Sequence, residues 1–309
     1  MEPLPVTAVC MNTLPEIEAA GSPVMPAVGP PLVEDDAAFD LDIQAGRVER
    51  RYWMDLWRYR ELFAFLAWRD LLVRYKQTVI GVLWALLQPF LTMLAFTVVF
   101  GTLARLPSAG TPYALLVFCG LLPWQFFARA ISEGSASLVS NASLVSKVYF
   151  PHLLVPMAAV CTALADFLIS CVFLGLLLVW FQWWPTWRVL VLPAFLLMGF
   201  ALSLGAALWL AALNVKYRDF RYIVPFIIQF GLYVSPVGYV SSLVPAEWRL
   251  VCALNPMATI IDGFRWAILG GEHHLALSGC LVSAVVTAGV LAAGVRHFRA
   301  SERRFADVI

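Results

Sequence analysis

Charge is scarce in this sequence. Of its 309 residues 13% are charged and 61% are hydrophobic, which excludes an ordinary water-soluble globule. The formal charge of +1 excludes a nucleic-acid binder, which needs a basic surface. Histidine is rarer still: His152, His273, His274 and His297 read as interfacial residues with no relay role. Catalytic signatures are missing too. There is no G-x-x-x-x-G-K-[ST] phosphate loop, so the chain has no ATPase site of that kind, and no G-x-S-x-G, H-E-x-x-H or paired-carboxylate cluster. The six cysteines show no CxxC or His/Cys spacing, so they read as small hydrophobes and no metal site is expected.

Basic residues are absent before Arg47. Residues 1–46 hold eight acidic residues and seven prolines, a self-repelling composition that predicts a disordered acidic tail. No basic start and apolar core of a secretory signal occurs there, so the N-terminus is expected in the cytoplasm. Residues 47–78 are instead rich in arginine and aromatics. On a helix, Trp53, Leu56, Trp57, Phe63, Ala64, Ala67, Trp68 and Leu71 share one face opposite Asp55, Arg58, Arg69 and Lys76. So many Trp beside Arg predict an amphipathic helix lying along the bilayer surface and touching membrane lipid.

Apolar runs follow, long enough for helices that cross a bilayer, which takes about 20 residues each. The predicted spans are 79–103, 112–131, 151–181, 187–213, 222–243 and 275–298, with a short C-terminal tail at 301–309. With the N-terminus inside, the inner segments hold 17 of the 21 Lys and Arg, so both termini are expected in the cytoplasm. The stretch 244–274 is too polar to span and too apolar for a plain loop, which predicts short helices dipping into the outer leaflet. The fold class expected is an all-α, six-span integral membrane protein with an N-terminal interfacial helix.

Three features invite a function. Asp166 is an acid well inside a span, where a carboxylate costs about 2.5–3.5 kcal/mol and needs a partner or a wet cavity. It reads either as an interhelical hydrogen-bonding residue or as part of a substrate path. Tyr222, Phe226, Phe230 and Tyr233 recur at steps of 4, 4 and 3, placing them on one helical face. Trp84, Gln88, Thr92 and Phe96 form a weaker stripe of that kind. Aromatic faces with polar tips suit sugar rings, although plain packing also makes such stripes. The serine-rich stretch 132–150 reads as a loop with a short helix after Asn141, either simply solvated or docking a soluble partner.

Several stretches together resemble the permease subunits of ABC-2 type exporters, in the branch that moves O antigen, capsule or teichoic acid. They are RDLLVRYKQTVIGVLWALLQP at 69–89, GLLPWQFFARAI at 120–131, NASLVSKVYFPHLLVP at 141–156, ADF at 165–167, NVKYRDFRYIVP at 214–225, SPVGY at 235–239 and NPMATIIDGFRW at 255–266. The resemblance implies a homodimer around a central channel, with two separate ABC ATPase subunits carrying ATP and Mg and no cofactor in this chain. It identifies 50–76 as a gate helix, about 136–148 as the coupling helix, and 244–272 as outer gate helices. Ser137, Leu138, Asn141, Leu144 and Lys147 then face the ATPase. Arg58, Arg69, Arg74 and Lys76 become candidates for an undecaprenyl-pyrophosphate head group, and Trp84, Phe96, Tyr222, Phe226, Phe230 and Tyr233 for contact with the glycan. The rivals are an ABC-2 exporter of a small lipid or drug, a membrane glycan-modifying enzyme, which would show paired acids or His at one face, and a passive scaffold.

Overall fold

The computed structural model describes residues 52–76, 79–108, 110–148, 150–243, 245, 252, 254–270, 275, 277–302 and 305. The acidic segment 1–46, most of the tail 301–309 and the first part of 244–272 lie outside the described residues. Among the described residues every regular element is helical. In chain order these are α1 (Tyr52–Arg58), α2 (Arg60–Tyr75), α3 (Val79–Phe96), α4 (Tyr113–Ser140), α5 (Ala142–Lys147), α6 (Leu154–Trp180), α7 (Leu192–Lys216), α8 (Phe220–Val234), α9 (Pro256–Ile268) and α10 (Leu277–Glu302).

Five stretches are long and apolar enough to cross a membrane: Leu86–Leu103, Tyr113–Ser140, Leu154–Trp180, Trp187–Lys216 and Leu277–Glu302. The first of them joins α3 to a π-helical stretch, Thr97–Leu103. The third, fourth and fifth match the expected spans to within a few residues. The second runs on past 131, so the loop expected from 132 is helix as far as Ser140.

The segment expected as a span at 222–243 is different. Its helix, α8, stops after 15 residues, about 22 Å against the roughly 30 Å of a hydrocarbon core. The stop lies in the sequence Ser235-Pro236. The ring of a proline disfavours helical ψ in the residue before it, and Ser235 is extended at φ −83°, ψ 144°. A turn at 235–239 follows instead of a fifth helical turn.

α4 is the central post. Of its apolar window 72% is buried, against 33% or less for the other four stretches. It packs chiefly on α6 and α7, with α9 across one end. Leu115, Leu116, Val117, Phe118, Leu121 and Phe126 of α4 form the main core with Phe167 of α6, Phe195 and Leu202 of α7 and Phe264 of α9. α7 and α10 cross backbone to backbone. A methyl at Gly294 would lie 2.1 Å from the carbonyl oxygen of Gly205, so only glycine fits.

A second core lies at the end of the bundle that carries α1 and α2. Tyr52 and Leu66 join Leu138, Phe150, Leu153, Leu208 and Phe298 there. Leu66 is 2% exposed, worth about 2 kcal/mol if the alternative is water. The apolar face expected for this segment divides between two surroundings. Leu56, Phe63 and Ala67 pack on the protein, whereas Trp57 (71% exposed) and Trp68 (62% exposed) point away from it. Helical hydrogen bonds continue across Tyr59, from Tyr59 N to Asp55 O and from Phe63 N to Tyr59 O, so α1 and α2 keep one phase and the two tryptophans lie together on the flank of the packed face. The outward aromatics are suited to the lipid interface.

Candidate functional site

The end of α2 is fastened to the bundle by charge. Arg74 Nη1 donates to Asp166 Oδ2 of α6 at 2.5 Å, and its Nη2 donates to Glu133 of α4. Arg129, one turn before Glu133 on α4, donates to that same Asp166 oxygen at 2.5 Å. The Tyr75 hydroxyl donates to the other oxygen, Oδ1. Asp166 is nearly buried, with 9% of its side chain exposed, whereas Arg74, Arg129 and Glu133 keep just under a third. Two guanidinium groups thus face two carboxylates. Burial and the hydrogen bond to Asp166 push the Tyr75 phenol upward, so it stays a donor. Removing one partner from such a set costs about 3 kcal/mol, the lower end of the range for buried pairs because the cations touch water.

This arrangement settles how Asp166 is satisfied. It has partners from two other helices, as an intramembrane acid requires. Arg129 and Glu133 escaped notice as partners, because Arg129 reads only as an inner flanking charge and Glu133 falls in the stretch taken for a loop. Their spacing of four on a helix is the signal that places both on one face.

Arg69 sits one and a half turns before Arg74. It pairs with Asp70 at 2.8 Å and reaches Asn141 Oδ1 at 2.7 Å. Asn141 is the joint between α4 and α5, and its Nδ2 donates to Ser137 O at 2.9 Å. Of the residues expected to face a soluble partner, Ser137 and Leu138 are buried, because they lie on the last turns of α4 against the second core. Leu144 is half-buried and Lys147 exposed, and Ser143 and Ser146 join them at the surface of α5. Arg58 and Lys76 are exposed.

The stripe on α8 is a free face. Tyr222, Phe226, Phe230 and Tyr233 are between 61% and 78% exposed, and the rings of Phe226 and Phe230 stack at 6.3 Å. Phe96 of α3 is not part of such a face: it packs on Phe100 at 5.3 Å and fills the space left by Gly238. Trp84 belongs to α3, but its side chain lies outside those described.

Beyond α8 the turn at 235–239 is held by α9 and α4. Arg265 of α9 is 1% exposed and donates to three carbonyls: Val237 at 2.6 Å, Tyr239 at 2.7 Å and Leu116 at 3.2 Å. The Tyr113 hydroxyl donates to Gly238 O at 2.5 Å. Gly120 makes room, since a methyl there would lie 2.8 Å from Arg265 Nη2. α9 is positioned by Asn255, whose side chain caps it at Met257 N and donates to Ser235 Oγ at 3.1 Å, with Pro256 in the first turn. Non-helical backbone at depth needs such donors, which side chains from two neighbouring helices supply. At 13 residues α9 is too short to span.

A bundle of bilayer-length apolar helices around a buried post, with a peripheral helix clamped on by ions, is a polytopic membrane protein. Residues 61–269 match the model of the ABC-2 type transporter family, and the chain belongs to that family. It is 31% identical over 258 residues to the O-antigen export system permease protein RfbA of Myxococcus xanthus, covering 82% of this chain and 98% of that one. A protein of that name from Klebsiella pneumoniae is 26% identical over 256 residues, covering 81% and 95%.

Proposed function

We propose that this chain is the membrane-spanning permease of an ATP-driven exporter that carries a lipid-linked polysaccharide, an O antigen or similar surface glycan, across the cytoplasmic membrane. The observation that carries the reading is the similarity to the Myxococcus O-antigen permease, which runs almost the whole length of that protein. Two copies of the chain form the channel, both termini face the cytoplasm, and two ABC ATPase subunits bind below. ATP and Mg belong to those subunits and drive the cycle, and this chain brings no ATPase site or cofactor of its own.

In this scheme α5 is the part seated on the ATPase, and α2 is the gate at the inner leaflet. An undecaprenyl-pyrophosphate head group enters beside α2, where the exposed Arg58 and Lys76 offer charge to phosphate oxygens. Arg69 and Arg74 contribute by exchanging their present acceptors for phosphate. The free aromatic face of α8 supplies flat contacts along which sugar rings slide.

Deleting the gene tests the reading. Loss of the surface polysaccharide, with its lipid-linked form retained in the cytoplasmic membrane, is the expected result. Intact surface glycan would overturn it in favour of a small-lipid or drug exporter. Replacing Arg69 and Arg74 together by Gln should lower surface glycan at constant chain level, and an unchanged amount would remove them from the head-group site.

A further inference from the structure

Asp166 accepts from more groups than its own burial demands. One hydrogen-bond donor is enough to seat a carboxylic acid between helices, yet its two oxygens take Arg74 and Tyr75 from α2 and Arg129 from α4. Glu133 takes the remaining nitrogen of Arg74 and lies 3.4 Å from the Thr162 hydroxyl. The named charges cancel, two against two, so the set is stable only when α2 contributes its guanidinium. Beside it lies a cavity of about 20 Å³, room for about one water, whose lining is polar on one side (Gln125, Arg129, Asp166, Ser170) and apolar on the other (Leu122, Phe126, Ala163, Phe167). Hydration of the carboxylate is therefore at hand when α2 departs.

We infer that Asp166 is the positioning residue of the gate helix: it docks the C-terminal turn of α2 onto α4 and α6 through a charge-balanced set, and α2 moves by breaking that set as a unit. The remainder of the grip on α2 is of two other kinds. Leu66 and its neighbours hold it apolarly, and Arg69 ties it to the α4–α5 joint at Asn141. The ion set is thus the attachment whose strength depends on balance of charge. The docking of α2 stands on these contacts, and the inference rests on the exporter reading for the movement of α2 as a gate.

The test reads the docking of α2 without substrate, so its failure is separate from failure of the exporter reading. The six native cysteines are replaced by Ala, Ala67→Cys is introduced on the inward side of α2, and the complex with its ATPase is placed in lipid nanodiscs. The labelling rate with a water-soluble maleimide reports undocking. Asp166→Asn leaves an excess positive charge, and the rate should rise about ten-fold or more, as expected for loss of a partly buried charge partner. Adding Arg129→Gln to Asp166→Asn restores the balance between Arg74 and Glu133, and the rate should fall back to near the starting value. An unchanged rate in Asp166→Asn overturns the inference. So does a double variant that labels as fast as the single one, because lost packing rather than lost charge balance then explains the effect. Should Asp166→Asn fail to accumulate, Arg74→Gln decides: it alters only the interfacial helix, and an unchanged rate there overturns the inference equally.

Discussion

Arg69 and Asn141, 72 residues apart in sequence, meet through a 2.7 Å hydrogen bond from guanidinium to side-chain carbonyl. The Asn141 amide is oriented for this by its own donation to Ser137 O. α2 and the α4–α5 joint are therefore directly linked. Asn141→Ala deletes the acceptor and should weaken the link by about 1–2 kcal/mol. The expected outcome is export reduced about ten-fold with ATP hydrolysis by the complex retained. Surface glycan per membrane-resident chain, measured beside hydrolysis, checks it, and a parallel loss of both would point to a misfolded joint.

Arg265 carries a different kind of load. Three carbonyls, two of them buried, depend on it, and the fork of its guanidinium reaches all of them at once. Arg265→Gln orphans most of these acceptors, at about 1–3 kcal/mol each. Chain level in the membrane should fall several-fold and the detergent-solubilised protein should unfold at a clearly lower temperature. Arg265→Lys should recover only part of the loss, because an ammonium cannot reproduce the fork.

The face on α8 should behave in the opposite way. Tyr222, Phe226, Phe230 and Tyr233 are exposed, so single Ala variants should change stability by no more than about 0.5 kcal/mol. Export should nonetheless drop, most for variants that remove two of the rings. Thermal unfolding alongside a surface-glycan assay separates the two effects, and unaltered export in a double variant would rule out a glycan track there.

The crossing of α7 and α10 gives a test of the fold itself. Gly294→Val places carbon against the backbone of Gly205, and the helices must separate to admit it. Accumulation in the membrane should be lost almost completely, whereas Gly289→Ala, on the same helix with open space around it, should be tolerated. Immunoblotting of membranes is sufficient.

Hydropathy made most of this fold legible. Apolar runs located the five long stretches because bilayer thickness leaves a helix little freedom of length. The segment 222–243 is apolar enough for its hydropathy to hide where its helix ends, and the signal for that end is a local one at Ser235-Pro236 that constrains backbone rather than burial. The site was legible in halves. Asp166 announces its need for a partner by standing alone among apolar residues, but nothing local says that the partner is Arg74, 92 residues away. The amphipathic pattern of 47–78 places Arg74 with the interfacial charges, and phosphate and carboxylate attract it by the same chemistry. Only the packing of α2 on α6 distinguishes the two.

The buried position of α4 also bears on how the protein is made. Arg129 and Glu133 leave the ribosome before Asp166 exists, and a charge near the edge of the hydrocarbon is costly to leave unpaired. Their spacing lets them meet each other only along one helix face, and Arg74, though synthesised earlier, gains its second acceptor only when α6 arrives. Lateral release of α4 from the insertion machinery is thus favourable in company with α6 and unfavourable alone. The central post is completed by helices made after it, α6, α7 and α9, and its burial is a property of the assembled bundle.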